Sequence, residues 1–180
     1  MYLEYNIDIE GRRLFLGEEI DDPISSCIIK GFQVLDKATG PITLEISSLG
    51  GSVSCMYAIY DTMRSCNNHV ITLGKGNVCS AACLLLAGGD TRYATENCWF
   101  MAHEGASNQD ESSNITQLSR ASVYAKMDKQ WADLMAKHSN KTTKWWITNA
   151  VESKKELWLN TDDMIKYGII DSKWPPGDKK

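Results

Sequence analysis

Gly76-Asn77-Val78-Cys79-Ser80-Ala81-Ala82-Cys83-Leu84-Leu85-Leu86-Ala87-Gly88 reads as one hydroxyl set at the start of an apolar helix, with small residues packed around it. A helix N-terminus presents unpaired N–H groups and the positive end of the helix dipole. An oxyanion formed when Ser80 attacks a carbonyl is therefore stabilised there without a charged side chain. Taken alone, a serine before an apolar run is a helix cap. Two flanking elements give it a second meaning.

Upstream, Ser48-Leu49-Gly50-Gly51 lies between the strand-like run Ile42 to Ile46 and a helical pattern in which Val53, Met56, Tyr57, Tyr60 and Met63 recur on one face. Two glycines at a strand-to-helix turn let the backbone come close to a ligand. The missing Lys-Ser/Thr excludes a phosphate loop, and the missing third glycine excludes a dinucleotide fingerprint. Downstream, Cys98-Trp99-Phe100-Met101-Ala102-His103 is an apolar strand ending on a histidine. Ser80, His103 and the glycine pair thus form a nucleophile, base and oxyanion-donor set.

Around these motifs the chain alternates strand and helix without a linker. Strands are expected near Arg13 to Gly17, Ile42 to Ile46, His69 to Gly74 and Cys98 to Ala102. Helices are expected near Pro23 to Lys37, Val53 to Ser65 and Cys79 to Ala87. Such alternation implies parallel strands joined by right-handed crossovers. From Asn114 a long helix follows, with Tyr124, Met127, Trp131, Leu134 and Met135 on a face read as core or as a seam against another subunit. Glu104 to Ser113 reads as a polar surface loop. Trp145-Trp146 and Trp158 are expected to pack the terminal helices, and His69 and His138 to be structural or solvated.

Composition bounds the function. The 180 residues with 43% hydrophobic content suit one domain and one core: a single unit over 1–180, with a short N-terminal segment at 1–12 and a flexible tail at 172–180. A net charge of −4 and no basic stripe argue against nucleic-acid binding. No apolar run reaches the roughly 20 residues that a membrane helix needs. The six cysteines contain no C-x-x-C pair and sit in apolar patterns, so they read as buried thiols of a reducing compartment, cytoplasmic or equivalent, such as a plastid stroma.

The ordered motifs Ser48-Leu49-Gly50-Gly51, Ile59-Tyr60-Asp61-Thr62-Met63, Gly76 to Ala82, Met101-Ala102-His103 and Tyr167-Gly168-Ile169-Ile170-Asp171 resemble, from about Arg13 to Asp171, the Clp protease proteolytic subunit family of ClpP-like serine peptidases. The resemblance implies an α/β ClpP/crotonase fold: parallel-sheet ββα-type repeats with a protruding handle helix. It implies Ser80 as nucleophile, His103 as base, and Gly51 and Ala81 amides as oxyanion hole. Counting back from Tyr167-Gly168 puts Glu156 at the position of the family's triad aspartate. No cofactor or metal is implied. The implied partners are further copies of the chain in a heptameric ring, stacked as a tetradecamer, an AAA+ unfoldase ATPase and unfolded polypeptide substrates.

The chain departs from the family pattern close to the chemistry. Leu49 stands for a proline, Asn77-Val78-Cys79 for Gln-Ala-Ala, His103-Glu104-Gly105 for His-Gln-Pro, and Glu156 for aspartate. Asp162 and Asp163 are alternative acids, though in Asn160-Thr161-Asp162-Asp163 they read as the cap and acidic first turn of a short helix. Glu104, projecting opposite His103 if the strand continues, is a poor orienting group. The clustered departures motivate a second reading, a weak or inactive ring subunit that modulates a Clp complex. A third is the acyl-CoA chemistry of crotonase relatives, which does not use an ordered Ser/His pair.

Overall fold

The computed structural model describes residues 6–105 and 114–175, and the side chains of 114–119 are not described. Strands β1 (Ile7–Asp8), β2 (Arg13–Leu16), β3 (Ile42–Ser48), β4 (Val70–Cys79), β5 (Thr91–Thr95), β6 (Trp99–Ala102), β7 (Leu157–Leu159) and β8 (Ser172–Trp174) build one sheet. Its main path runs β1-β2-β3-β4-β5-β8. The pairs from β2 through β8 along that path are parallel, as the alternation requires.

The helices are α1 (Asp22–Leu35), α2 (Val53–Ser65), α3 (Ala82–Ala87), α4 (Asn114–Lys137), α5 (Thr143–Trp146), which runs on into a π-helical turn at Ile147–Val151, and α6 (Thr161–Lys166). Local chemistry sets their starts. The Asp21 carboxylate accepts from Ile24 N–H and the Ser52 hydroxyl from Cys55 N–H, each capping the orphan donors of a first turn. Ile28, Phe32 and Leu35 of α1 and Met56, Ile59 and Met63 of α2 pack with Leu14, Leu44, Ile46 and Val70 of the sheet in one core. On the opposite sheet face, Glu45 of β3 is buried between Arg13 of β2 and Lys75 of β4, both of which pair with it.

The strand that positions the site is β4. Its first half pairs with β5, at Ile71–Gly74, and its second half pairs with β6, at Asn77–Cys79. Between them the register against β3 shifts from Ile46↔Gly74 to Ser48↔Val78, with Gly76 at φ +57°. A bulge of this kind turns a strand and re-aims its end. It swings the end of β4 away from β5 and beside β6.

Several expectations are corrected. Cys79 is the last residue of β4, and the helix expected from Cys79 begins at Ala82, because Ser80 takes a left-handed backbone that no helix accommodates. Strands β1 and β7 run antiparallel to their neighbours. With β5 and β8 they escaped a reading of apolar runs: all are two to five residues long, and all but the wholly apolar three-residue β7 are mixed in polarity. Ser172–Trp174, expected in a flexible tail, forms β8 against Tyr93–Thr95; 176–180 lie outside the described residues. Most of the loop expected at Glu104 to Ser113 also lies outside them. Trp146 is fully buried, as expected, but Trp158 is 47% exposed and sits on β7 rather than packing the terminal helices.

The apolar stripe of α4 is not one seam. Met135 is in the core and Leu134 packs against it, whereas residues 120–126 are exposed all round, including Val123 and Tyr124. The helix docks by its C-terminal half and projects by its N-terminal half.

Candidate active site

Three adjacent strands end together. The β4–β6 register places Cys79 beside Met101, and the β6–β7 register places Met101 opposite Trp158 and Ala102 opposite Leu157. Ser80 therefore follows the end of β4, His103 the end of β6, and Glu156 precedes β7, all at one edge of the sheet. Continuing the antiparallel register by one step sets His103 across from Glu156. Alternation along a strand keeps Met101 and His103 on one face, with Glu156 and Trp158 on the same face of the neighbouring strand.

Ser80 sits in a strand-to-helix turn at φ +55°, a conformation that costs a non-glycine residue free energy and persists only where the surroundings impose it. They do so here: Ser80 N–H donates to Met101 C=O at 2.7 Å, and Ser80 C=O accepts from Cys83 N–H at 3.0 Å. The turn is a sharp strand-to-helix elbow of the kind that lifts a nucleophile clear of its strand. With only six residues in α3, anion stabilisation falls to individual amides of the turn more than to a long helix dipole.

Gly50 and Gly51 form the wall facing this elbow. Their φ values are +99° and +145°, and a side chain on Gly50 would meet Ser80 Cβ and Cys79 O at 2.7 Å. Only glycine permits that approach. Ser48 Oγ accepts from Gly50 N–H at 3.1 Å and donates to Glu18 C=O. Gly51 bridges to Ile20, with Ile20 N–H donating to Gly50 C=O and Ser52 N–H donating to Ile20 C=O. These bonds occupy the groups on either side of Gly51 N–H. Among the described residues, neither Gly51 N–H nor Ala81 N–H has a hydrogen-bond acceptor outside the helix and strand ladders.

Ser80, Ala81 and His103 line one narrow cleft with Val53 and Met56 of α2, Met127, Asp128 and Trp131 of α4, and Val151. Tyr57 of α2 donates its hydroxyl to Met127 C=O at 2.8 Å, which fastens α4 over the cleft. Glu156 does not line it. Its Oε2 accepts a hydrogen bond from Trp158 Nε1 at 2.8 Å, and its charge, after burial, helps push the Cys79 thiol up. Glu156 therefore stands near the end of β4, held by an indole two residues along its own strand. Cys79 is 1% exposed, which closes it to oxidants.

Both alternative acids lie in the first turn of α6, as expected from the sequence. Asn160 Oδ1 accepts from Asp163 N–H, capping α6, and Asp162 pairs with Lys173 at 2.8 Å. His69 bonds to Thr91 and His138 to Tyr60, both structural roles. Asp128 was missed. It lies four residues after Tyr124 and three before Trp131, on the stripe already marked as apolar, and that interruption was the available signal. Among the described residues no cluster of three or more His, Cys, Asp or Glu side chains is placed to hold a metal ion, and no helix is long and apolar enough to cross a membrane.

The Clp protease family profile matches residues 2–173. The chain is 30% identical over 164 residues to ATP-dependent Clp protease proteolytic subunit 2 of Corynebacterium efficiens, covering 89% of this chain and 80% of that one. It is 32% identical over 176 residues to proteolytic subunit 3 of Streptomyces avermitilis, covering 95% and 78%. It is 31% identical over 175 residues to proteolytic subunit 1 of Thermobifida fusca, again covering 95% and 78%.

Proposed function

The chain belongs to the Clp protease family, and from that premise we propose that it is a serine endopeptidase subunit of a ring-shaped, ATPase-assisted protein-degradation complex. The observation that carries this reading is the convergence of Ser80, His103 and Glu156 at the ends of three neighbouring strands. Ser80 Oγ attacks a peptide carbonyl while His103 takes its proton. Gly51 and Ala81 N–H groups hold the oxyanion of the tetrahedral intermediate, and His103 returns the proton to the leaving amine. A water then enters, loses its proton to His103 and adds to the acyl carbon, and His103 returns that proton to Ser80 Oγ as the acyl–serine bond breaks and the product acid leaves. Glu156 orients the imidazole. The partners are further copies of the chain, an unfoldase that consumes ATP, and unfolded polypeptide, in a cytoplasmic or equivalent reducing compartment.

A second reading, a weak or inactive ring subunit, is favoured by one observation. The Glu156 carboxylate is engaged by Trp158, and among the described residues no hydrogen bond joins it to His103. Labelling with a serine-directed fluorophosphonate separates the two. The peptidase reading expects covalent labelling of the wild type and none of Ser80→Ala. Equal labelling of both removes Ser80 from the mechanism, and labelling of neither favours the inactive subunit.

A further inference from the structure

The cleft beside Ser80 and His103 has an apolar lining, from Val53 and Met56 of α2, Met127 and Trp131 of α4, and Val151, and among the described residues one carboxylate lies in it, that of Asp128. Asp128 packs against the backbone just past the base: a Cβ built on Gly105 would meet its Oδ1 at 2.9 Å. Burial, and then the neighbouring charge of Glu104, raise its carboxyl above the ordinary aspartate range. Both influences disfavour the anion, and neither is a cation. A half-buried carboxylate with a second acid beside it is stabilised by an incoming positive charge.

Building on the peptidase reading above, we propose that this cleft receives the substrate side chain preceding the scissile bond, and that Asp128 makes it select a long cationic side chain, lysine or arginine. Such a side chain matches the lining atom type by atom type. Its methylene stem buries against Val53, Met56 and Met127, while its charged head reaches the carboxylate. The Trp131 ring adds a surface on which a guanidinium is held favourably. Leucine or norleucine fills the apolar walls but leaves Asp128 dehydrated and unpaired, and a glutamate places a third acid there. Selection then arises as much from rejecting the wrong side chains as from binding the right one.

The test uses fluorogenic peptides that differ only in the residue before the cleaved bond: arginine, lysine, norleucine or glutamate. The expected result is a kcat/KM for arginine and lysine about tenfold or more above norleucine, with glutamate lowest. In Asp128→Asn the arginine-to-norleucine ratio falls by about the same factor, and Asp128→Lys moves the preference toward glutamate. Equal rates for arginine and norleucine in the wild type overturn the proposal without any variant. A uniform loss of kcat on every peptide in Asp128→Asn also overturns it, by making Asp128 act through His103 instead. Binding of the same peptides to Ser80→Ala, read by fluorescence anisotropy, separates the pocket from the chemistry. If the wild type cleaves nothing but Ser80→Ala still prefers the arginine peptide about tenfold, the peptidase reading fails and the cation selectivity of Asp128 stands. Equal affinities for arginine and norleucine peptides overturn the selectivity whatever the wild type does.

Discussion

His103 and Glu156 stand opposite each other one step beyond the Ala102↔Leu157 pair that closes the β6–β7 ladder, yet the Glu156 carboxylate is bonded to the indole of Trp158, 2.8 Å away. Facing positions in an antiparallel pair bring side chains within about 5 Å at Cβ, which is within a glutamate's reach of an imidazole. On the proposed mechanism, the indole N–H that Glu156 already accepts competes with the imidazole for one acid.

If Glu156 orients His103, Glu156→Gln lowers peptide hydrolysis by up to about 10⁴, the scale seen when an orienting carboxylate is neutralised. Trp158→Phe, which frees the carboxylate from the indole, then raises turnover or leaves it unchanged. If the extra methylene misplaces the acid, Glu156→Asp raises kcat, since displacement by about 1 Å costs on the order of a hundredfold. Steady-state kinetics on the three variants decide the matter. A measurable wild-type rate that none of them alters excludes Glu156 from the mechanism.

Gly50 supports the nucleophile by having no side chain. Gly50→Ala places a methyl 2.7 Å from Ser80 Cβ and Cys79 O at φ +99°, and the backbone has no room to give. The expected cost is about 1–3 kcal/mol of stability, together with slower fluorophosphonate labelling of Ser80. Chemical denaturation and labelling rates measured on one preparation check both effects. Unchanged labelling would mean that the elbow does not depend on this contact.

Much of this was legible in the sequence because the informative residues carry special chemistry. Serine among small residues, histidine closing an apolar strand, and a glycine pair at a turn are each unusual enough to mark a site. What stayed hidden was geometry without a compositional trace. Nothing in Cys79-Ser80-Ala81 signals a left-handed Ser80, since the surrounding hydrogen bonds impose that backbone. Leu157–Leu159 is too short for a period-2 pattern, so the strand that follows Glu156 and pairs with β6 went unread, and Glu156 was proposed only by counting back from Tyr167-Gly168. Asp128 was given no role because the stripe around it was read for what is apolar, although its charge interrupts that stripe where it lines the cleft.

The projecting half of α4 bears on assembly. Val123 and Tyr124, midway along α4, are 49% and 45% exposed. Exposed apolar side chains on a helix that docks only by its C-terminal half favour contact with a second chain. Native mass spectrometry is expected to show a ring of seven copies, or two such rings stacked. Val123→Glu together with Tyr124→Glu should shift the population toward smaller species. A wild type that stays monomeric at micromolar concentration overturns the ring.

The last prediction concerns pH and lies outside the site. His138 at the end of α4 is bonded to the Tyr60 hydroxyl at 2.7 Å. Burial first, then the charges of Arg64, Lys137 and Arg92, outweigh Asp90 and pull its pKa down to about 4. In the unfolded chain the same imidazole titrates near 6.5. Between those values the unfolded chain binds a proton that the folded one refuses, so stability falls as the pH drops from about 6.5 to 4 and the loss levels off below. Because the ring retains some contact with water, the full shift overstates the effect, and a loss on the order of 1–2 kcal/mol is expected. Asp36 and Asp90 are held below the ordinary carboxylate range, so their losses fall lower in pH and do not obscure the window. Unfolding of the wild type and of His138→Gln at pH 7.5 and pH 5, in the same assembly state, isolates the contribution. The wild type should lose more stability between the two pH values than the variant does. Equal losses would mean that His138 is protonated in the fold, and that its bond to Tyr60 is made by a charged ring.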